Sequence, residues 1–220
     1  MPNTGAPYAD GLFASLAKQG MLAERCDVLT TQFLERTLID TAGDRRSRIA
    51  KKYRVSQPGV AGRTIVIVDE ALIRGDTSQA VTAMLHDAGA KAAHWAIGSP
   101  PIVAPNYYGI GIETLDELAF WQALKRLRPT LRAKCLRFHQ MEPRALRAIE
   151  SEIAAATKAA TITYLPFRAL VSLLAHRQEH IDLSAFTLEM PTAAGRQRAH
   201  RNLKALLAAI PIPLPLEFGS

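Results

Sequence analysis

The sequence predicts an α/β fold: a central, mostly parallel sheet flanked by helices, with an extra helical segment at its C-terminal end. Three observations carry this expectation. "RTIVIVD", ending at Asp69, is a short β-branched run that reads as a buried strand. "SQAVTAMLHDAG" follows with apolar residues at helical spacing and stops on Gly89, a good helix terminator. "KAAHWAIGS" is a second strand. Strand, helix and strand in that order make a βαβ unit, whose crossover lets the two strands run parallel.

The other elements follow along the chain. "APYADGLFASLAKQ" is a helix opened by the turn "PNTG", and "CDVLT" could form a short strand. From Glu35 to Gly62 the chain is polar, basic and aperiodic, so it reads as a long loop, and loops of that length usually serve a function. "PPIVAPNYYGIG" is a proline-rich loop, and the stretch from "TLDELAFWQALKRL" to "ALRAIESEIAAATK" is largely helical. "ATITYL" is a late strand and "PFRALVSLLAHRQ" another helix. The tail carries a basic amphipathic helix, "GRQRAHRNLKALLAAI", expected to pack on its own domain or on a partner. It ends in "PIPLPLEF", which should be extended.

The chain has 220 residues, enough for one well-buried domain, and an ordinary globular composition. No apolar run is long enough to span a bilayer, and the N-terminus lacks a signal-peptide pattern. Cys26 and Cys135 stand far apart in no metal or redox spacing, which argues for a reducing cytoplasm. A formal net charge of +7 favours anionic partners: phosphorylated metabolites, nucleic acid or an acidic protein surface. Of the six histidines, His176 and His180 alone share a metal-compatible spacing, and no third ligand accompanies them. A solvated helix face accounts for them better. The basic run Arg45–Lys52 could bind nucleic acid or phosphates.

The chemistry concentrates in "VIVDEALIRGDTS". In open α/β sheets, ligands sit at the carboxyl ends of strands, where Asp69 and Glu70 fall. The loop Ile73, Arg74, Gly75, Asp76, Thr77, Ser78 then opens a helix, whose free N–H groups and dipole suit a phosphate. The acids cannot bind that phosphate. They could bind the hydroxyls of a sugar that carries it and stabilise positive charge developing there. The alternative is a strand end with solvated acids beside an N-capped helix.

This segment resembles the phosphoribosyl-diphosphate (PRPP) signature of type I phosphoribosyltransferases, and most of all that of amidophosphoribosyltransferases. "MLHDAGAKAAHWAIGSPPIVAPNYYGI" is similar to the segment after that signature. "ERTLID" resembles the start of the family's flexible loop, "PNTGAP" its diphosphate turn, and "ATITYLPFRAL" and "SAFTLEMPT" its C-terminal segment. The resemblance runs in order from about Pro2 to Thr192. It implies a phosphoribosyltransferase-like domain over 1–192, shortened at its N-terminal side, and a basic helix with a proline-rich tail over 193–220.

The resemblance also implies roles. Asp69 and Glu70 would bind the ribose hydroxyls, the loop Ile73–Ser78 the 5-phosphate, and Asn3, Thr4 and Gly5 the diphosphate. The flexible loop, roughly Arg36–Tyr53, would close over the substrate and exclude water; Arg36 and a lysine, Lys52 or Lys51, would act from it. The reaction implied is pentosyl transfer: a nitrogen nucleophile, ammonia or a small amine, attacks ribose C1 as diphosphate leaves. Mg²⁺ would ride on PRPP, with few protein ligands. The alternative is a non-catalytic PRPP-binding or regulatory subunit on the same fold.

Departures from the family pattern set further expectations. No glutaminase segment precedes "MPNTG", so glutamine hydrolysis is not expected. The strand that should precede the diphosphate turn is missing, which would leave a sheet edge for a partner chain or the tail to cover. A homo-oligomer is expected, nucleic acid is a less favoured partner, and a membrane role is not expected. Glu70 replaces an Asp and Asp76 a Thr, the latter repulsive to a phosphate if its carboxylate faces it. Thr41, Ala42 and Gly43 replace the family's P-T-Q. The family's cluster-binding cysteines fall at Asn106, Asp182 and Ala185, so no iron–sulfur cluster is expected.

Overall fold

The computed structural model describes residues 4–31, 52–108, 112, 114–174 and 180–210. The chain divides into two compact units: Met1–Gly98 with Ala154–Tyr164, and Ser99–Ile153 with Leu165–Ser220.

The first unit holds a parallel three-stranded sheet, β3 (Thr64–Asp69), β4 (Ala92–Ile97) and β5 (Thr161–Tyr164), in the order β3-β4-β5. Ile67 of β3 faces Trp95 of β4, and Trp95 faces Ile162 of β5. These were the three strands expected. Between β3 and β4 runs α2 (Asp76–Asp87). It terminates where Gly89 takes φ +86°, a left-handed conformation that a side chain would strain. Val81 and Leu85 of α2 are buried, as is Trp95. The indole Nε1 of Trp95 donates to Thr82 Oγ1 at 3.0 Å, so the helix is tied to the sheet by a satisfied buried polar pair.

The expectation that "RTIVIVD" is a buried strand holds for one face in full and for the other only in part. Ile65, Ile67 and Val68 are buried, whereas Val66 is 50% exposed. Among the described residues, β3 has one hydrogen-bonded neighbour, β4, so it forms the sheet edge. The helix α1 (Ala6–Lys18), with Pro7 in its first turn where the missing N–H costs nothing, packs along β3 but buries none of its own residues. The sequence pattern of a strand buried on both faces therefore exceeds the cover that the described residues supply.

A second sheet corrects the reading of Glu35–Gly62 as one long loop. β1 (Leu29–Thr31) pairs antiparallel with β2 (Tyr53–Val55), Leu29 opposite Val55 and Thr31 opposite Tyr53. β1 lies slightly later than "CDVLT" suggests. Residues 32–51 lie outside the described set.

The second unit is helical: α3 (Ala119–Arg126), α4 (Pro129–Cys135), most of α5 (Pro143–Thr157), α6 (Phe167–Leu174), a single turn α7 (Ser184–Thr187) and α8 (Ala193–Ala208). Its core centres on Trp121, which is fully buried and meets Phe120 and Phe138 edge-on at 5.2 and 6.1 Å. The Trp121 indole donates to Val103 O at 2.7 Å, and Val103 N–H donates to Ala185 O at 2.8 Å. The proline-rich loop is thus pinned from two sides. The basic tail helix α8 buries Ala199, Leu203 and Leu206, and Ala199 joins Ala104 and Met190 in one apolar cluster. Arg198 stacks over the Tyr107 ring at 4.6 Å and Asn202 Nδ2 donates to Tyr107 Oη at 2.9 Å. The apolar face of the tail helix therefore packs within its own unit. The proline-rich segment after Ile210 lies outside the described residues.

Candidate functional site

The site grows from the end of β3. Asp69 is its last residue, and its carbonyl accepts from Gly98 N–H at 2.8 Å, which extends the β3–β4 ladder to the strand end. Both Asp69 and Glu70 are half-buried. The Glu70 N–H donates to Asp69 Oδ1 at 3.2 Å, so the backbone itself orients the first carboxyl group. The Thr4 hydroxyl bonds the Glu70 carboxyl, and the Asp69 carboxyl stands close enough to affect its charge. Glu70 Oε2 is shut away from solvent and meets no hydrogen-bond partner among the described residues. A shielded carboxylate oxygen without a donor costs on the order of 1–3 kcal/mol, and a ligand hydroxyl would relieve it.

The electrostatics follow from this crowding. Burial, then the neighbouring Glu70 carboxyl, push Asp69 up to about 8. For Glu70, burial pushes upward, but its contacts with Asp69 and Thr4 hold it below the usual carboxylate value. Tyr53 on β2 is buried, and its phenol is pushed up to about 12, by burial first and then by the charges of Asp69 and Glu70. Lys52 Nζ stands 5.4 Å from the centre of the Tyr53 ring. Of the expected loop cations, Lys52 thus stands next to a residue that itself faces the acids.

The loop beyond the acids is anchored by Leu72, which is buried. Gly75 takes φ +91° and forms the N-cap of α2; as a glycine it has no side chain with which to cap the free N–H groups. Gln79 N–H donates to Gly75 O at 2.9 Å and is the first backbone bond of the helix. Helix geometry leaves the Thr77 and Ser78 N–H groups without intrahelical acceptors. These donors and the positive end of the helix dipole face the loop. Ile73, Arg74, Asp76 and Thr77 are half-buried around it. Ser78 differs: it is 2% exposed and its hydroxyl donates to Gly75 O at 2.9 Å. Its side chain locks the turn rather than offering a proton to a ligand.

The structure thus gathers Asp69, Glu70, Thr4 and Tyr53 around one strand end, with Ile73–Ser78 following. Gly5 caps α1 beside Thr4. Asn3, Arg36, Lys51 and most of the flexible loop, Thr41–Gly43 included, lie outside the described residues. Tyr53 was missed by sequence reasoning, because no pattern in a basic run marks a tyrosine that packs against acids 16 and 17 positions onward. His180 is described and His176 is not. Where the family's cluster cysteines fall, Asp182 Oδ1 accepts from Ser184 N–H at 2.8 Å, and Asn106 pairs with Ile112 across an isolated bridge. In the second unit, Pro101, Phe138, Phe167 and Phe186 help to line a largely apolar cavity of about 200 Å³, assembled from segments too distant in sequence to be foreseen.

The fold is that of a phosphoribosyltransferase-like α/β protein. The chain is 36% identical over 115 residues to an amidophosphoribosyltransferase of Archaeoglobus fulgidus, a match covering 52% of this chain and 22% of the relative. The corresponding protein of Pyrococcus horikoshii is 32% identical over 136 residues, covering 61% and 26%. That of Bacillus subtilis is 31% identical over 141 residues, covering 63% and 26%. Among solved structures, a glutamine PRPP amidotransferase from B. subtilis, complexed with ADP and GMP, superposes with a TM-score of 0.51 at 24% identity, over 82% of this chain and 35% of that one. A second, described as the allosteric regulatory enzyme of purine biosynthesis, gives 0.52 at 25% identity, over 81% and 34%. No family model matches the chain. The chain resembles, in sequence and in fold, the phosphoribosyltransferase part of amidophosphoribosyltransferases, and it spans about a quarter of the length of the curated relatives it matches.

Proposed function

We propose that the chain is a PRPP-using phosphoribosyltransferase that moves ribose 5-phosphate to ammonia or a small amine and releases diphosphate. The observation that carries this reading is the unpartnered, shielded Oε2 of Glu70 beside Asp69, at a strand end followed by the left-handed Gly75 and a helix N-terminus. A ribose diol supplies two hydroxyl donors to two carboxyl groups, and the 5-phosphate falls to the loop N–H groups. The nitrogen nucleophile attacks ribose C1, the C1–O bond to diphosphate breaks, and a proton leaves the new amine. The acids stabilise positive charge developing on the ribose, and the loop holds the phosphate still. Mg²⁺, if bound with the substrate rather than by protein side chains, would supply charge neutralisation to the leaving diphosphate.

Several features support the finer points. Two free thiols suit a reducing cytoplasm, and a place in nucleotide metabolism follows from the PRPP reading itself. The edge that β3 forms among the described residues suits a further strand, whether from a second copy or another chain. A second reading, a PRPP-binding subunit without turnover, is favoured by Asp76 standing at the phosphate end of the loop.

Diphosphate release from PRPP and Mg²⁺, with and without ammonium, separates the two. Ammonium-dependent release that disappears in Asp69→Asn supports the transferase. Measurable PRPP affinity without release, under any amine tried, supports the binding subunit. Absence of both binding and release removes the PRPP reading altogether.

A further inference from the structure

The second unit holds a cavity that the ribose reading leaves unused. Pro101, Phe138 and Leu146, all buried, form its floor, and Met141, Phe167 and Phe186, half-buried, form its sides. Pro143 opens α5 and Pro166 stands just before α6, so these helices start at the cavity rather than cross it. The aromatic rings are held in place by groups behind them. Phe138 meets Phe120 and Trp121 edge-on at 5.9 and 6.1 Å. Phe186 follows Ala185, whose carbonyl accepts from the Val103 and Ala104 N–H groups at 2.8 and 3.2 Å. The Phe167 ring meets the His139 imidazole edge-on at 5.4 Å, and His139 Nε2 bonds Glu189 Oε1 at 2.9 Å. A cavity shaped in advance loses little freedom on binding.

Charge and size narrow the ligand. The polar lining residues His139, Gln140, Glu142 and Arg168 are exposed and so stand at the mouth. Glu142 lies 3.5 Å from Lys134, and His139 bonds Glu189. Arg168 is the charged lining residue with neither an ion-pair nor a hydrogen-bond partner among the described residues. An apolar cavity of about 150 Å³ accepts benzene, and drug-sized ligands need roughly 300 Å³ or more. At about 200 Å³, this one suits a single ring with a small head group.

We propose that the cavity binds a single-ring aromatic carboxylate, its ring among Phe138, Phe167 and Phe186 and its carboxylate on the Arg168 guanidinium. Aromatic rings attract one another edge-to-face, which favours an aromatic body over an aliphatic one of similar size. The planar guanidinium presents paired N–H donors that match a carboxylate. The unbranched Met141 side chain adapts to the outline of the ring. The site lies wholly within the second unit and holds whether or not PRPP is the ligand of the strand-end acids.

Sodium benzoate, added to the full chain carrying ¹³C-methyl methionine, tests this. The Met141 methyl signal, assigned by its loss in Met141→Leu, should move saturably with a dissociation constant on the order of 1 mM, while that of Met84 on α2 stays in place. Benzamide keeps the ring and loses the charge, and should bind about fivefold more weakly. Cyclohexanecarboxylate keeps the charge and loses the aromatic ring, and should also bind more weakly than benzoate. In Arg168→Gln, benzoate should weaken about fivefold while benzamide does not change. Arg168 is exposed, so the substitution leaves the core intact. No saturable movement at Met141, or equal movement at Met84, overturns the site. Benzamide equal to benzoate, or an Arg168→Gln protein that weakens both alike, overturns the carboxylate contact. Cyclohexanecarboxylate equal to benzoate overturns the aromatic preference.

Discussion

The Ser78 hydroxyl donates to the Gly75 carbonyl at 2.9 Å, across the turn in which Gly75 takes φ +91°. This bond shapes the loop in advance, so a phosphate bound as proposed above would not have to order it. Ser78 is 2% exposed, so no water replaces the bond if it is lost. Ser78→Ala is therefore expected to lower stability by about 1 kcal/mol and to weaken PRPP binding severalfold, through the loop rather than through a lost contact to the phosphate. Thermal unfolding and calorimetry read the two effects. Full PRPP affinity in a destabilised variant would show that the turn is held by something else.

Asp76 occupies the first position of α2, where a carboxylate complements the helix dipole. The same place puts negative charge at the end of the loop assigned to a phosphate. Two effects compete, one favouring the helix by a few tenths of a kcal/mol and the other opposing the ligand by about 1 kcal/mol. Asp76→Asn should thus slightly lower the melting temperature and tighten PRPP binding by about fivefold at low salt, the gain shrinking as salt rises. Unchanged affinity at low salt would place the side chain away from the phosphate.

Asp69 gives stability a pH dependence of known sign. Its carboxyl is pushed up to about 8 in the fold, against an unfolded value near 4. Between those values the folded chain binds more protons than the unfolded one, so this group's contribution is fully present below about 4 and is lost as pH rises through 8. Glu70 acts oppositely: it is held down, so its contribution is lost as pH falls through its depressed value. Denaturant unfolding from pH 5 to pH 9 should show a decline that flattens in Asp69→Asn. The same slope in both proteins would assign it to other groups.

These residues show what was legible in the sequence. The β3, α2 and β4 elements announced themselves through local periodicity, and the acids at the end of β3 followed from the strand's position. β2 did not, because Tyr-Arg-Val inside a basic run becomes a strand only through its partner Leu29–Thr31. Tyr53 at the acid pair is a tertiary fact with no local signature. The direction of the Ser78 hydroxyl and the exposure of Val66 are likewise set by neighbours, or by their lack, rather than by sequence pattern.

The two cysteines should separate chemically. Cys26 is exposed, while Cys135 is fully buried, its thiol donating to Ala145 O at 3.6 Å. Burial pushes the Cys135 thiol up to about 12, and the reactive species is the thiolate. A thiol reagent should label one cysteine in the native protein and both in denaturant, with Cys26→Ser abolishing the fast phase. Rapid labelling of both in the native state would mean that the second unit opens readily.

Trp121 anchors the proline-rich loop: it is fully buried, and its Nε1 donates to Val103 O at 2.7 Å. Trp121→Phe keeps an aromatic ring against Phe120 and Phe138 but removes the donor and leaves space where the second ring stood. An orphaned carbonyl costs about 1–3 kcal/mol, and the lost packing adds to it. In a chain of this size, 2 kcal/mol corresponds to a fall of roughly 4–8 °C in melting temperature. Because Trp121 and Val103 both lie in the second unit, hydrogen exchange should speed up at Val103 and Ala104, whose N–H groups bond Ala185 O, before it does in β3 and β4. An unchanged melting temperature with unchanged exchange at those two amides would show that the loop is held without the indole.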